Sequence, residues 1–418
     1  MSDIHYTCLD RFLKYVTFDT QSSEESDTVP TTEKQKRLGE YLVKELEDIG
    51  LNDAAMDQWG YVTATLPGNV DHHVPVIGLI AHLDTSPDVS GENVQAQIHK
   101  NYQGGDIIIS RERDIVLKES ENPALKQQIG HDIVTSDGTT LLGADNKAGI
   151  AEIFDATHHL ITHPEIKHGT IKVAVTTDEE VGKGADHFDI PKFGADYAYT
   201  IDGETVGEVE DETFCADTAI ITITGVNVHP GYAKNKLVNA IKIAAEIIGG
   251  LPKDRLSPET TEKRQGYLHP HNITGNVEQA VVKFLVRDFT VEGLQENEAL
   301  LRELADKVMA KHPKAKMDFK IDEYYRNMKY KLDEDPKVVE YAVEAVKRAG
   351  LTPIRNIIRG GTDGARLSYD GLLTPNIFTG GHNFHSRQEW ISVQDMHKAV
   401  DVIVRLIQIW QERAGSES

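Results

Sequence analysis

Residues 74–82, VPVIGLIAH, lead into Leu83 and Asp84 and decide the fold class. The run is short and almost wholly apolar, the pattern of a strand buried on both faces. Two more runs of this kind follow, TIKVAVTT at 170–177 and YAYTI at 197–201. Helical patterns separate the strands. One covers 33–50 and is closed by Gly50. Another covers 147–161 and sets Ile150, Ile153, Phe154, Thr157, Leu160 and Ile161 on one face. Strands alternating with helices predict an α/β fold, with a mixed, mostly parallel sheet carrying helices on both faces.

The pattern changes near Glu212. Residues 218–225 alternate as a strand, 236–250 read as a helix, 279–289 as a strand, 291–311 as a helix and 315–324 as a strand. This order predicts a small α+β, ferredoxin-like sandwich. The α/β style returns at Pro336, which opens a helix that Gly350 closes. The expected organisation is a first domain in two parts, 1–212 and 328–418, with a second domain inserted at 213–327.

Of 418 residues, 44 are Lys or Arg and 67 are Asp or Glu, a net charge of −23 that speaks against nucleic acid or an anionic membrane as partner. No apolar stretch approaches the roughly 18 residues of a membrane-spanning helix. The opening MSDIHYTCLDRFLKY lacks the basic start and apolar centre of a secretory signal. Two cysteines, Cys8 and Cys215, make neither a disulfide framework nor a thiolate metal site. The expectation is a soluble, cytoplasmic protein.

Acidic and histidine residues gather just after the strands, where open α/β sheets bind ligands. The segments are His82-Leu83-Asp84, Asp145-Asn146, Asp178-Glu179-Glu180, Asp202-Gly203 and His382-Asn383-Phe384-His385. His82 and Asp84 point to the same side of the chain, so the carboxylate can hold the imidazole while its other nitrogen binds a metal. Glu179 and Glu180 point to opposite sides, which lets one bind a metal and the other move protons. Taken singly, each has a plainer reading: Asp145 as a helix N-cap, Asp202 as a turn residue, the acidic triplet as a solvated turn. Together, two His and three carboxylates suit zinc, cobalt or manganese better than calcium. Two more segments stand apart. Arg359 in the Gly-rich turn 358–364 is either a carboxylate clamp or a structural ion pair, and His229 in Val228-His229-Pro230-Gly231 is either catalytic or a surface histidine.

AHLDTSPD (81–88), TLLGADNKAGIAEI (140–153), TTDEEVGKGA (176–185), VHPG (228–231), IRGGTDGARLS (358–368) and PNIFTGGHNFH (375–385) occur in this order. With them, the chain resembles the peptidase T family of tripeptide aminopeptidases, over nearly its whole length. That family lies within the wider dinuclear zinc group of aminoacylases and succinyl-diaminopimelate desuccinylase. GGDI near 104–107 and the run 178–189 resemble peptidase T more narrowly.

The resemblance implies two Zn2+ per subunit, replaceable by Co2+ or Mn2+. His82, Asp145 and Asp202 would bind one ion, and Asp145, Glu180 and His385 the other. Asp84 would orient His82. Glu179 would be general base and acid towards a metal-bridging hydroxide. His229, Arg287 and Arg359 would bind substrate, with His229 serving its own subunit or a partner. The resemblance also implies a cis peptide between Asp145 and Asn146, a lid or dimerisation role for 213–327, a homodimer, and tripeptides as substrates. Asn146 stands where an Asp is common. An N-acyl amino-acid deacylase or dipeptidase on the same scaffold is the alternative.

Overall fold

The structure, a computed structural model, describes residues 5–414. Every residue of the Ile77–His82 strand is buried, so both faces of the sheet are covered there. Gly78 and Ile80 face Phe193 and Leu367, and a Cβ on Gly78 would collide with the Phe193 ring. The eight strands of the sheet run in the order Ala55–Met56, Val62–Leu66, Ile171–Thr176, Ile77–His82, Tyr197–Gly203, Asn376–Phe378, Glu208–Thr213, Ile354–Ile358. The centre is parallel: Ile77–His82 pairs in parallel with both neighbours, and Asn376–Phe378 with Tyr197–Gly203. Antiparallel strands flank it, Val62–Leu66 on one side and Glu208–Thr213 on the other. The sheet is thus mixed α/β, and the carboxyl ends of three central strands deliver His82, Thr176 and Asp202 to one edge.

The helix Ala144–Thr162 differs from the expected one-sided pattern. It is buried along nearly its whole circumference, with Ala148, Gly149, Ala151, Ala156 and even Glu152 and Asp155 inside. Small residues let it sit between the sheet and the helices Cys8–Tyr15 and Val393–Ala414. Asp155 repays its burial by accepting the main-chain N–H groups of Thr7 and Cys8 and the Thr7 hydroxyl.

Residues 97–135 hold structure that the pattern of residues did not announce. Gln97–His99, Ile133–Thr135, Trp390–Ser392 and Gly381–His382 form a second, antiparallel sheet, and Ile107–Ser110 with Ile115–Leu117 a hairpin. These strands are two to four residues long, too short for alternation to show. Their shared core is Tyr102, Ile107, Ile109, Leu117, Leu125, Ile133 and Trp390.

By its contacts the chain divides into two compact units. One runs up to Asp211 and takes in Tyr330–Asn356 and the chain from Thr362 onward; the other is Glu212–Lys329 with Ile357–Gly361. The second unit has four strands, not three. Tyr267–Gly275 is the strand the sequence reading missed, because Pro270, His271 and Asn272 interrupt its pattern. It lies at the edge of the sheet, where proline is tolerated. The antiparallel order is Tyr267–Gly275, Gln279–Asp288, Cys215–Thr224, Lys316–Tyr325, packed on the helices Ala240–Gly249 and Val291–Met309. The first helix starts at Ala240 rather than 236, since the Asn239 side chain caps it by accepting the Lys242 N–H.

Candidate metal centre

His82 ends its strand with the ring buried. Its Nδ1 lies 3.1 Å from the main-chain oxygen of Asp84 and 3.3 Å from the Asp84 carboxylate, so Nδ1–H donates there and Nε2 faces away. Nε2 meets Asp145 Oδ1 at 2.9 Å and stands 3.5 Å from Asp202 Oδ1 and 3.9 Å from Glu179 Oε2. The Asp84 carboxylate also accepts the main-chain N–H groups of Glu179 (3.0 Å) and Glu180 (3.2 Å). One buried acid therefore ties the histidine strand to the acidic turn.

Asp145 lies at the head of its helix but is not helical, with φ −82° and ψ 103°, and the Asp145–Asn146 peptide is cis. Its second oxygen, Oδ2, lies 3.2 Å from His385 Nε2. Glu180 Oε2 lies 2.8 Å from the same His385 nitrogen, while Glu180 Oε1 is buried with no hydrogen-bond partner. His385 comes from the loop between the Gly381–His382 and Trp390–Ser392 strands. His382 lies elsewhere: it is buried and stacked on Trp390 at 4.3 Å between ring centres.

Burial pushes the Glu179 carboxyl well above the usual range, against the pull of His82 and with help from Asp202, Asp363 and Glu180. Burial and then Asp145 raise Glu180 to about 8, and burial raises Asp202 to about 6. Burial acts to lower His385, but hydrogen bonds to Asp145 and Glu180 outweigh it and leave the imidazole at about 11. Asp145, between two imidazoles, is held below the carboxylate range despite burial. These are the marks of negative charge crowded into a largely buried space, open to solvent at His385, and a divalent cation relieves that crowding. One donor atom each from His82, Asp145 and Glu180 lie within 4.8 Å of one another, and with Asp202 and His385 they give two imidazoles and three carboxylates. That set fits a borderline divalent metal such as zinc.

His229, Arg287 and Arg359 belong to the second unit. His229 is exposed at the start of a short turn, with Nδ1 accepting the Gly231 N–H at 3.1 Å. Arg287 is buried and donates from Nη1 to the carbonyls of Asp217 (3.0 Å) and Val286 (2.9 Å). Arg359 donates to the carbonyls of Lys263 and Gln265 and to Thr261 Oγ1, and its guanidinium lies over Phe214. Among the described residues, both arginines are engaged with groups of their own unit and neither is held in a carboxylate clamp.

The sequence reading gave three acids no role of their own. Asp178 accepts from the Thr31 N–H and hydroxyl and from Gln35 Nε2, anchoring the acidic turn from behind. Asp363 accepts the Thr176 hydroxyl at 2.8 Å and is pushed by burial to about 7. Glu389 accepts three main-chain N–H groups around Asp145. Asp178 and Asp363 stood inside segments already singled out; Glu389, in a Gln-Glu-Trp run, carried no signal.

A family model described as peptidase family M20/M25/M40 matches residues 135–409. Peptidase T of Halothermothrix orenii is 50% identical over 402 residues, covering 96% of this chain and 98% of the relative. Among solved structures, aminopeptidase PepT from Bacillus cereus superposes with a TM-score of 0.74 at 24% identity, covering 97% of this chain and 98% of that one. A dinuclear metal-binding peptidase of the M20 family from Bacillus subtilis gives a TM-score of 0.65 at 17% identity, with 97% and 98% covered.

Proposed function

The chain belongs to peptidase family M20/M25/M40, in the company of peptidase T, and from that premise we propose that it is a metal-dependent aminopeptidase releasing the N-terminal residue of tripeptides. The observation that carries this reading is Asp145, which turns one carboxylate oxygen to His82 and the other to His385. In this reading His82, Asp145 and Asp202 hold one zinc ion, and Asp145, Glu180 and His385 hold the second, with cobalt or manganese as substitutes. The dinuclear metal-binding peptidase from Bacillus subtilis, which shares this fold, supports the pair. Bound there, the ions supply Lewis-acid polarisation of the scissile carbonyl and acidify water.

The chain's own groups do the rest. Glu179 takes the proton of the attacking water and gives it to the leaving amine. Its high proton affinity comes from burial and neighbouring acids, and its main-chain N–H is held by the Asp84 carboxylate. Asp84 also holds His82 through Nδ1, keeping Nε2 as the donor nitrogen. For His229, Arg287 and Arg359 the proposed role is substrate binding, and for the second unit that of lid and dimerisation domain in a cytoplasmic homodimer. Both cysteines are free thiols, which fits a reducing compartment.

The test is product identification by mass spectrometry after incubation with a tripeptide, its N-acetylated form and N-acyl amino acids. Release of the N-terminal residue from the free tripeptide alone is the expected result. Preferred hydrolysis of the acylated compounds would assign the chain to the deacylases instead.

A further inference from the structure

We propose that Glu389 is a positioning residue for the metal centre, and that the loop it closes, residues 383–389, supports both Asp145 and His385. The inference rests on the function proposed above only in taking those two residues as ligands. Glu389 is 1% exposed. Its Oε2 accepts the N–H groups of Leu142 (2.7 Å) and Gly143 (2.9 Å), and its Oε1 accepts that of Asp145 (3.1 Å). Three N–H groups of one turn thus converge on one carboxylate. The turn needs this partner, because Gly143 at φ 85° is left-handed and Asp145 lies outside the helical range. A carboxylate has acceptor capacity on both oxygens, whereas an amide would set a donor against one of the N–H groups.

The same loop carries His385 at its other end. Asn383 and His385 both lie in the left-handed region, at φ 56° and 58°, a conformation that non-glycine residues hold when their surroundings enforce it. Here side chains enforce it. Asn383 Nδ2 donates to Asn122 Oδ1 at 2.7 Å and to the Gln388 carbonyl at 3.2 Å. Ser386 Oγ donates to the Asn383 carbonyl at 2.7 Å, and Gln388 Nε2 to the Val116 carbonyl at 2.8 Å. The hairpin region near 116–122 is therefore a brace under His385, and Glu389 a brace under Asp145. One metal position draws two of its three ligands from this support, Asp145 and His385; the other draws only Asp145. Loosening the loop acts unequally on the two positions.

The test titrates metal-stripped full-length protein with cobalt and reads stepwise affinity from the absorption spectrum, separately from turnover. Glu389→Gln is expected to weaken one of the two binding steps on the order of 10–100-fold and the other less. At limiting metal, kcat is expected to fall while KM stays near its native value. Should Glu389→Gln fail to fold, Asn122→Ala, which removes the acceptor that Asn383 of the loop donates to, is expected to weaken the same step. A native protein that binds two equivalents, with the folded variants binding both as tightly, overturns this inference alone. A native protein that takes up no metal overturns the metal reading and this inference with it.

Discussion

Glu179 and Glu180 are neighbours with different surroundings, and the account assigns them different work. Glu180 Oε2 meets His385 at 2.8 Å, whereas Glu179 Oε2 is 3.9 Å from the nearest nitrogen of His82. Glu179→Ala is therefore expected to lower kcat by at least ~100-fold with metal content unchanged, because it removes proton transfer and no ligand. Glu180→Ala is expected to lower metal content itself. Metal analysis of the two purified variants separates these outcomes, and the opposite pattern would mean that the roles are exchanged. At this scale part of the arrangement was legible: His82, Glu180 and Asp202 stand at or just past the ends of apolar strands, whereas Asp145 heads a helix ten residues beyond the preceding strand, Ile133–Thr135. The choice of His385 over His382 came from the family resemblance, since both follow the same strand. Glu389 was not legible: it contacts Asp145 across 244 positions of sequence, and only folding brings them together.

At the scale of elements, the helix headed by Asp145 must press against the strand that carries Asp202. Gly149 permits this. A Cβ there would overlap the Ile201 carbonyl oxygen and the Asn146 side chain. Gly149→Ala is expected to cost ~1–3 kcal/mol through overpacking, despite the better helix propensity of alanine. It is also expected to weaken metal binding, because it drives Asp145 and Asp202 apart. Urea unfolding and metal titration on the same preparation check both, and a variant at least as stable as the native chain would contradict this packing. The central strands and the second unit's helices were readable because burial on two faces, or on one helical face, leaves a periodic trace. The short strands around 97–135 left none, and Pro270 hid an edge strand.

At the scale of the whole molecule, the net charge of −23 is partly inside the protein as buried acids. Asp395 is one, away from the metal centre, with its carboxyl raised by burial from 3.8 to about 7. Between those two values the folded chain keeps a proton that the unfolded chain has released. The contribution of Asp395 to stability is accordingly complete below about pH 3.8 and is lost as pH rises through about 7. Asp395→Asn is expected to flatten the fall of Tm across this window, measured by calorimetry at several pH values. An unchanged slope would show that Asp395 is ionised in the folded state.

The central claim is that hydrolysis depends on metal held around Asp145. Its most direct test is tripeptide turnover by metal-stripped protein as zinc or cobalt is added back by equivalents. The account predicts no turnover when stripped and recovery as the equivalents bind. Full turnover by a preparation shown by elemental analysis to be free of metal would contradict it.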